Sequence, residues 1–156
     1  MRGFVATQLR GKIVTWSDRT KAFVAETLSE YFGSELLEDG AQSLTLRDET
    51  ALLFANFDED FPRLRIMLPL VVGANHSLKL LERINQLNHV PVVKVTLDDD
   101  IVSLCTEVFA EDITKERILR ACVVLLVNAE DIGSGLVEEF GGTLLPVARP
   151  SSDHGP

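Results

Sequence analysis

The sequence has little that would tie it to an oxidising compartment or to a membrane. It contains only two cysteines, Cys105 and Cys122, in 156 residues, too few for a disulfide framework. We expect two buried thiols in a reducing cytoplasm, the alternative being a single disulfide between them. The longest apolar run, residues 121–127, is far shorter than the roughly 20 residues that span a bilayer. Residues 1–10 lack the basic and then apolar pattern of a signal peptide, so the sequence predicts a cytoplasmic protein.

Basic residues are scarce relative to acidic ones. Fifteen lysines and arginines stand against 24 aspartates and glutamates, which gives a formal net charge of −9. A negative field of this kind repels the phosphates of nucleic acids and the headgroups of anionic membranes. No basic cluster offsets it, because Arg63 and Arg65 directly follow the acidic run at residues 58–60. Nucleic acid and membrane are therefore not expected as partners.

The histidines do not have the spacing of a metal site. None of His76, His89 and His154 has a ligand partner three or four residues away, and neither C-x-x-C nor H-E-x-x-H occurs. His89 follows a predicted helix, where a general base is one interpretation and a side chain that interacts with the helix dipole is the favoured one. We predict no metal and no cofactor.

Other catalytic or ion-binding motifs are missing too. Residues 133–135 (GSG) do not fit G-x-S-x-G, because the glycines adjoin the serine. The acidic turns at residues 58–60 and 98–100 lack the alternating oxygen ligands and the glycine of a calcium loop. Aspartate is common in turns because its side chain bonds nearby backbone amides. We therefore predict no catalytic residues and no enzymatic activity.

The hydrophobic pattern predicts an α+β fold with the element order α-β-β-β-α-β-β-α. Period-two alternation indicates five strands, and helical spacing indicates three helices. Runs of strands separated by single helices favour a two-layer sandwich with a five-stranded antiparallel sheet over a doubly wound parallel sheet. The expected helices begin near residues 18, 78 and 115, and the expected strands cover residues 44–46, 51–57, 64–70, 93–97 and 102–108.

We expect one domain over residues 1–145. Residues 1–16 are predicted to be an irregular or short helical lead-in, and residues 146–156 a disordered tail. Gly133 and Gly135 are expected to interrupt the last helix. The helix starts are indicated by residues suited to capping: Ser17 or Asp18, Asn75 or Ser77, and Thr114.

Strand parity indicates which side chains point away from the helices. Leu52, Phe54 and Met67 fall on that second face, where a solvated surface would be polar. Exposed apolar patches commonly mark interaction sites, and methionine suits adaptable binding. We predict that these three residues bind a peptide or a protein partner. The alternative is that the N-terminal lead-in or the last helix covers them.

The second helix offers a surface for self-association. Its exposed side carries Asn85, Gln86 and Asn88, and Val92 follows nearby. Such a surface can pair around a two-fold axis, as in most homodimers. We predict a homodimer through these residues, with a monomer and a solvated helix as the alternative.

Several local sequences resemble the type III secretion chaperone-like and YbjN-like proteins over residues 18–142. They include residues 64–70 (LRIMLPL), 80–88 (LLERINQLN), 93–99 (VKVTLDD) and 138–142 (EEFGG). The spacing of Leu81, Asn85 and Asn88 in the second helix is the most family-like detail.

The resemblance implies a small acidic sandwich, commonly a homodimer, without enzymatic activity. Members related to secretion chaperones hold unfolded segments of client proteins on apolar patches. The family supplies no catalytic motif and no fixed peptide-binding positions to carry over.

Three hypotheses about function follow. The first is a chaperone or regulatory adaptor that binds a client peptide or protein segment. The second is a small-molecule-binding or enzymatic α+β domain, which requires a deep pocket with convergent polar groups and a perturbed titratable residue. The third is a structural subunit of an assembly.

Overall fold

The computed structural model describes residues 16–38, 43–46, 53–89 and 93–152. Within these ranges the chain forms three α-helices and seven strands, and none of these helices is long and apolar enough to cross a membrane. The elements in chain order are α1 (Asp18–Phe32), β1 (Leu36–Glu38), β2 (Ser43–Leu46), β3 (Phe54–Asp58), β4 (Arg63–Val72), α2 (Leu78–Leu87), β5 (Lys94–Asp98), β6 (Ile101–Phe109), a 3₁₀ turn (Ala110–Asp112), α3 (Lys115–Phe140) and β7 (Thr143–Leu144).

The strands form one antiparallel sheet in the order β1-β2-β3-β4-β6-β5, and β7 pairs with β4. This confirms the predicted α+β class and antiparallel sheet. The sheet has two short strands more than the five predicted. The segment Leu36–Glu38, which is not among the predicted strands, is the edge strand β1, and three residues are too few to show a period. At the other end of β4, β7 pairs with Val71 and Val72 beyond the part that β3 covers.

Each helix begins at a predicted capping residue. The hydroxyl oxygens of Ser17, Ser77 and Thr114 each accept a hydrogen bond from the backbone N–H three residues further on, at 3.2 Å. Each bond satisfies a donor that the first helical turn leaves free. Helix α1 ends at Gly33, whose φ of 66° is in the left-handed region that glycine adopts without strain.

The helices pack on one face of the sheet, which we call the core face. Thr106 of β6 donates from its hydroxyl to the Ala121 carbonyl oxygen of α3 at 3.4 Å. The ring centroid of Phe57 in β3 lies 5.1 Å from that of Trp16, just before α1. Both helices and strands contribute to the single core that results, whose fully buried residues include Leu28, Leu64, Ile66, Leu68, Leu80, Leu104, Ile118, Leu125 and Leu136.

Helix α3 is one continuous helix of 26 residues. The predicted interruption at Gly133 and Gly135 is therefore wrong. Gly133 is buried, and a Cβ atom there would lie 2.6 Å from the Leu144 Cδ1 atom and 3.1 Å from the Leu70 Cγ atom. A Cβ atom at Gly135 would meet nothing within 4 Å. Gly133 thus allows a close approach of helix and sheet, and this contact offsets its low helix propensity.

The segment after β7 packs against the helical layer. Ala148 is only 1% exposed. The Leu145 N–H donates to the Leu70 carbonyl oxygen at 2.8 Å, and the Ser151 N–H donates to the Tyr31 carbonyl oxygen at 2.9 Å. The tail predicted to be disordered from residue 146 is therefore packed against the domain up to Ser151. Residues 153–156 lie outside the described residues.

The two glycines of α3 provide a matched test of this packing. We expect Gly133→Leu to lower the free energy of unfolding by about 2 kcal/mol, because the added atoms overpack the contact with Leu70. We expect Gly135→Leu to leave stability unchanged or to raise it by up to about 0.8 kcal/mol through helix propensity. Urea unfolding followed by circular dichroism measures both. Equal effects of the two substitutions would contradict the assigned close approach.

Candidate functional site

The sheet face opposite the helices, here called the outer face, holds the predicted binding residues. Strand register places two of them directly side by side, since Phe54 of β3 pairs with Met67 of β4. Met67 in turn pairs with Cys105 of β6. Phe54 and Met67 are half-buried, whereas Cys105 is 5% exposed. These three residues form the apolar row. Leu52, the third predicted residue, lies outside the described residues.

A row of charged side chains borders the apolar row on one side. Arg63 is its centre: its Nε atom lies 3.2 Å from an Asp58 carboxylate oxygen and its NH1 atom lies 2.7 Å from a Glu107 carboxylate oxygen. Lys94 also contacts Glu107, at 3.0 Å, and Arg65 lies 3.8 Å from Asp58. The pairs connect β3, β4, β6 and β5. Each partly exposed pair contributes about 1 kcal/mol or less, so the row fixes register more than it adds stability.

Asp58 shows how the charged row is held at neutral pH. Burial alone would raise the pKa of its carboxyl group, but the Phe61 N–H and the Arg63 and Arg65 guanidinium groups stabilise the carboxylate and lower the pKa. Because the folded-state pKa is lowered, this contribution is present above the ordinary aspartate pKa and is lost as the pH falls through the folded-state value. The stabilising contribution of Asp58 to the charged row is therefore lost in acid.

Two side-chain polar atoms on the outer face are buried and have no hydrogen-bond partner among the described residues. They are the Thr45 Oγ1 atom and the Arg65 Nε atom, both buried. Thr45 pairs with Phe54, and Arg65, two residues before Met67, pairs with Asn56. A buried polar atom without a hydrogen bond costs about 1–3 kcal/mol.

The residues predicted for self-association lie at and just after the C-terminal end of α2, and those that the structure describes are exposed. Asn85 and Gln86 are exposed on α2, and Val92 lies outside the described residues. The Asn88 side chain is already engaged, because its amide donates to the Val95 carbonyl oxygen at 2.9 Å and accepts from the Val95 N–H at 2.6 Å. It thereby occupies part of the free edge of β5, which would otherwise be open to strand pairing.

Helix α2 also exposes an apolar pair of side chains. Leu78 is 71% exposed and Leu81 is 54% exposed, while Leu80 and Ile84 face the core. The two exposed leucines line a shallow cavity of about 290 Å³ together with Leu97 of β5. Apolar residues occur on both sides of this helix, so spacing alone could not decide which side is buried.

The described residues contain no cluster of histidine, cysteine, aspartate and glutamate that could hold a metal ion. A cavity of about 410 Å³ lies between α1 and the β1–β2 hairpin, with Asp18, Lys21 and Glu38 in its lining. Burial raises the pKa of Cys122 to about 12, and this thiol lies in the core, away from that cavity.

Comparison with known proteins identifies the family. Residues 18–146 match the family described as T3SS (YopN, CesT) and YbjN peptide-binding chaperone 1. The match covers most of the chain, and the chain belongs to this family. The resemblance seen in the sequence is thereby confirmed. No curated protein matches the chain.

Two solved structures share the fold. The ExsC-ExsE complex contains a chain with 20% sequence identity and a TM-score of 0.61, and the match covers 77% of this chain and 97% of that one. The HopA1-SchA chaperone-effector complex contains a chain with 15% identity and a TM-score of 0.59, and the match covers 80% and 98% respectively. At these identities the comparison supports the fold alone.

Proposed function

We propose that this chaperone-family protein holds an extended, mainly apolar segment of a client protein on the outer face, without catalysis. The observation that carries the proposal is the cross-strand row Phe54–Met67–Cys105 on a face over which no described helix packs. Membership of a peptide-binding chaperone family supports it. The HopA1-SchA structure, which shares the fold, is a chaperone-effector complex, and the parallel supports a protein client.

The chemistry of the outer face suits an unfolded client. Burial of apolar surface contributes roughly 25 cal/mol per Å² without requiring a particular sequence. The flexible thioether of Met67 adapts to different side chains, while the Phe54 ring offers a flat apolar contact. Leu52, two positions before Phe54 in the sequence, remains part of the proposed site.

We further propose that the protein is a homodimer through α2. Leu78 and Leu81 provide exposed apolar area, and Asn85 and Gln86 lie on the exposed side of the same helix. Val92 remains part of the proposed interface, and Asn88 contributes by holding the β5 edge in place. An interface of this composition, apolar at the centre and polar at the rim, is usual for dimers.

We also propose that residues 1–145 act as one domain in the cytoplasm. Cys105 and Cys122 are free thiols, both buried. Reduced cysteines in a chain of this size agree with a reducing compartment.

Client binding is tested with a charge placed in the apolar row. We expect Phe54→Asp and Met67→Asp each to weaken binding of a fluorescein-labelled, unstructured peptide of leucine, isoleucine, threonine and lysine by at least about tenfold. Fluorescence polarisation measures the affinity, and circular dichroism confirms that each variant is folded.

Val127→Asp is the matched control for that experiment, because Val127 is 70% exposed on α3, on the other side of the domain. It should bind the peptide like the unchanged protein. Unchanged binding by the Phe54 and Met67 variants, or an equal loss in the Val127 variant, would refute the site.

The dimer is tested by a charge on α2. We expect sedimentation equilibrium of the unchanged protein to give twice the chain mass of 17.2 kDa. Leu81→Glu should shift it to the monomer, because it places a charge without a partner in an apolar contact. Val123→Glu on α3, at a residue that is 45% exposed, should leave the mass unchanged. A monomeric unchanged protein at all concentrations would contradict the dimer.

A further inference from the structure

Two exposed phenylalanines lie together at one end of the sheet. Phe109, the last residue of β6, is 49% exposed, and Phe61, in the turn between β3 and β4, is 47% exposed. Arg63 lies between them, because it pairs with Phe109 and its guanidinium carbon is 5.2 Å from the Phe61 ring centroid. The Ala110 N–H donates to the Pro62 carbonyl oxygen at 2.8 Å, which holds the two segments together. This end of the sheet therefore offers aromatic surface that a partner can bury.

A cavity of about 300 Å³ connects this end of the sheet with helix α3. Phe109, Ala121 and Val124 contribute apolar atoms to its lining. Arg117 and Arg120 line the same cavity and are three residues apart on α3. Residues with this spacing lie on one side of a helix. A single ligand in the cavity can therefore contact both guanidinium groups and an apolar wall.

The positive charges of this cavity are not balanced by its own carboxylates. Neither Arg117 nor Arg120 forms an ion pair with another described residue, whereas Arg63 contacts two carboxylates. Two acidic residues also line the cavity, but the Glu107 carboxylate is already bound by Arg63 at 2.7 Å. Asp112 is the other acidic residue in the lining. Two guanidinium groups against this one carboxylate leave a local excess of positive charge in a chain whose formal net charge is −9.

The chemistry of these groups defines the partner that fits them. Guanidinium groups bind carboxylates through paired, charge-assisted hydrogen bonds, and phenylalanine rings favour contact with other aromatic side chains. A protein segment with acidic residues beside an aromatic one satisfies both requirements with only one or two negative charges. A nucleic acid carries a phosphate at every nucleotide, so the acidic remainder of the domain would repel most of it.

We propose that Phe61, Phe109, Arg117 and Arg120 form a second protein-binding surface, the aromatic–arginine surface, whose partner is a segment with acidic residues flanking an aromatic one. The partner's carboxylates pair with the two arginines, and its aromatic side chain packs on the phenylalanines. On β6, Glu107 of the charged row separates this surface from the apolar row. The aromatic–arginine surface thus binds its partner independently of any client on the outer face.

The aromatic–arginine surface is tested with a fluorescein-labelled peptide in which a tryptophan is flanked by aspartate and glutamate. The net charge of the protein repels this peptide, so its binding reports a local site. We expect Arg117→Glu combined with Arg120→Glu to weaken binding at least about tenfold, and Phe109→Ser to weaken it several-fold. Fluorescence polarisation measures the affinities, and circular dichroism confirms that each variant is folded.

Two matched controls separate this site from general electrostatics and from general apolar contact. Arg19→Glu combined with Arg149→Glu changes the net charge by the same amount at two other exposed arginines. Phe23→Ser removes a phenylalanine that is 39% exposed on α1. Both controls should bind the acidic peptide like the unchanged protein. Losses equal to those of the test variants would overturn the proposal.

The remaining outcomes distinguish this surface from the client site. The Arg117 and Arg120 double variant should bind the peptide of leucine, isoleucine, threonine and lysine normally, and Phe54→Asp should bind the acidic peptide normally. Loss of acidic-peptide binding in Phe54→Asp would place that peptide on the outer face and would overturn the second surface. The proposal is also overturned if the unchanged protein does not bind the acidic peptide, or if it binds a single-stranded DNA oligonucleotide more tightly.

Discussion

The packing of α3 against β4 and β6 is the contact on which the other features depend. It buries the alternate residues Leu64, Ile66 and Leu68 completely, and fully burying such a side chain contributes about 1.5–3 kcal/mol. Gly133 brings the helix close enough to contact Leu70. Because α1 and α2 join α3 on the same face, the helices stabilise the sheet from one side only. The outer face is left to be covered by something other than these helices.

The features that could be predicted from the sequence are those set by local physics. Strand alternation and helical spacing gave the element order, and Ser17, Ser77 and Thr114 marked the helix starts because capping depends on neighbours three residues away. The same parity argument placed Phe54 and Met67 on one face, where the structure pairs them directly. Parity could not show how deeply these side chains are buried, because burial depends on segments distant in sequence.

Features that depend on distant contacts could not be predicted. The hydrogen bonds between the Asn88 side chain and the Val95 backbone form only because the end of α2 meets the edge of β5. Glycine disfavours helices, so the sequence predicts a break at Gly133. Its contact with Leu70 explains why the helix continues there. The two sides of α2 are almost equally apolar. Leu78 and Leu81 are exposed because the other side of the helix meets the core. Each outcome was decided by tertiary packing overriding local preference.

The outer face combines an apolar row, on which we propose that clients bind, with an ion-paired row that connects the strands. That combination suits a surface that must stay flat and intact while its occupant changes. The chain has two methionines, Met1 and Met67, so ¹³C-methyl methionine labelling places a resolved NMR reporter in the apolar row. The account predicts that a saturating apolar peptide shifts or broadens the Met67 methyl signal. Binding of the peptide with an unchanged Met67 signal would contradict the assignment of the outer face as the client surface.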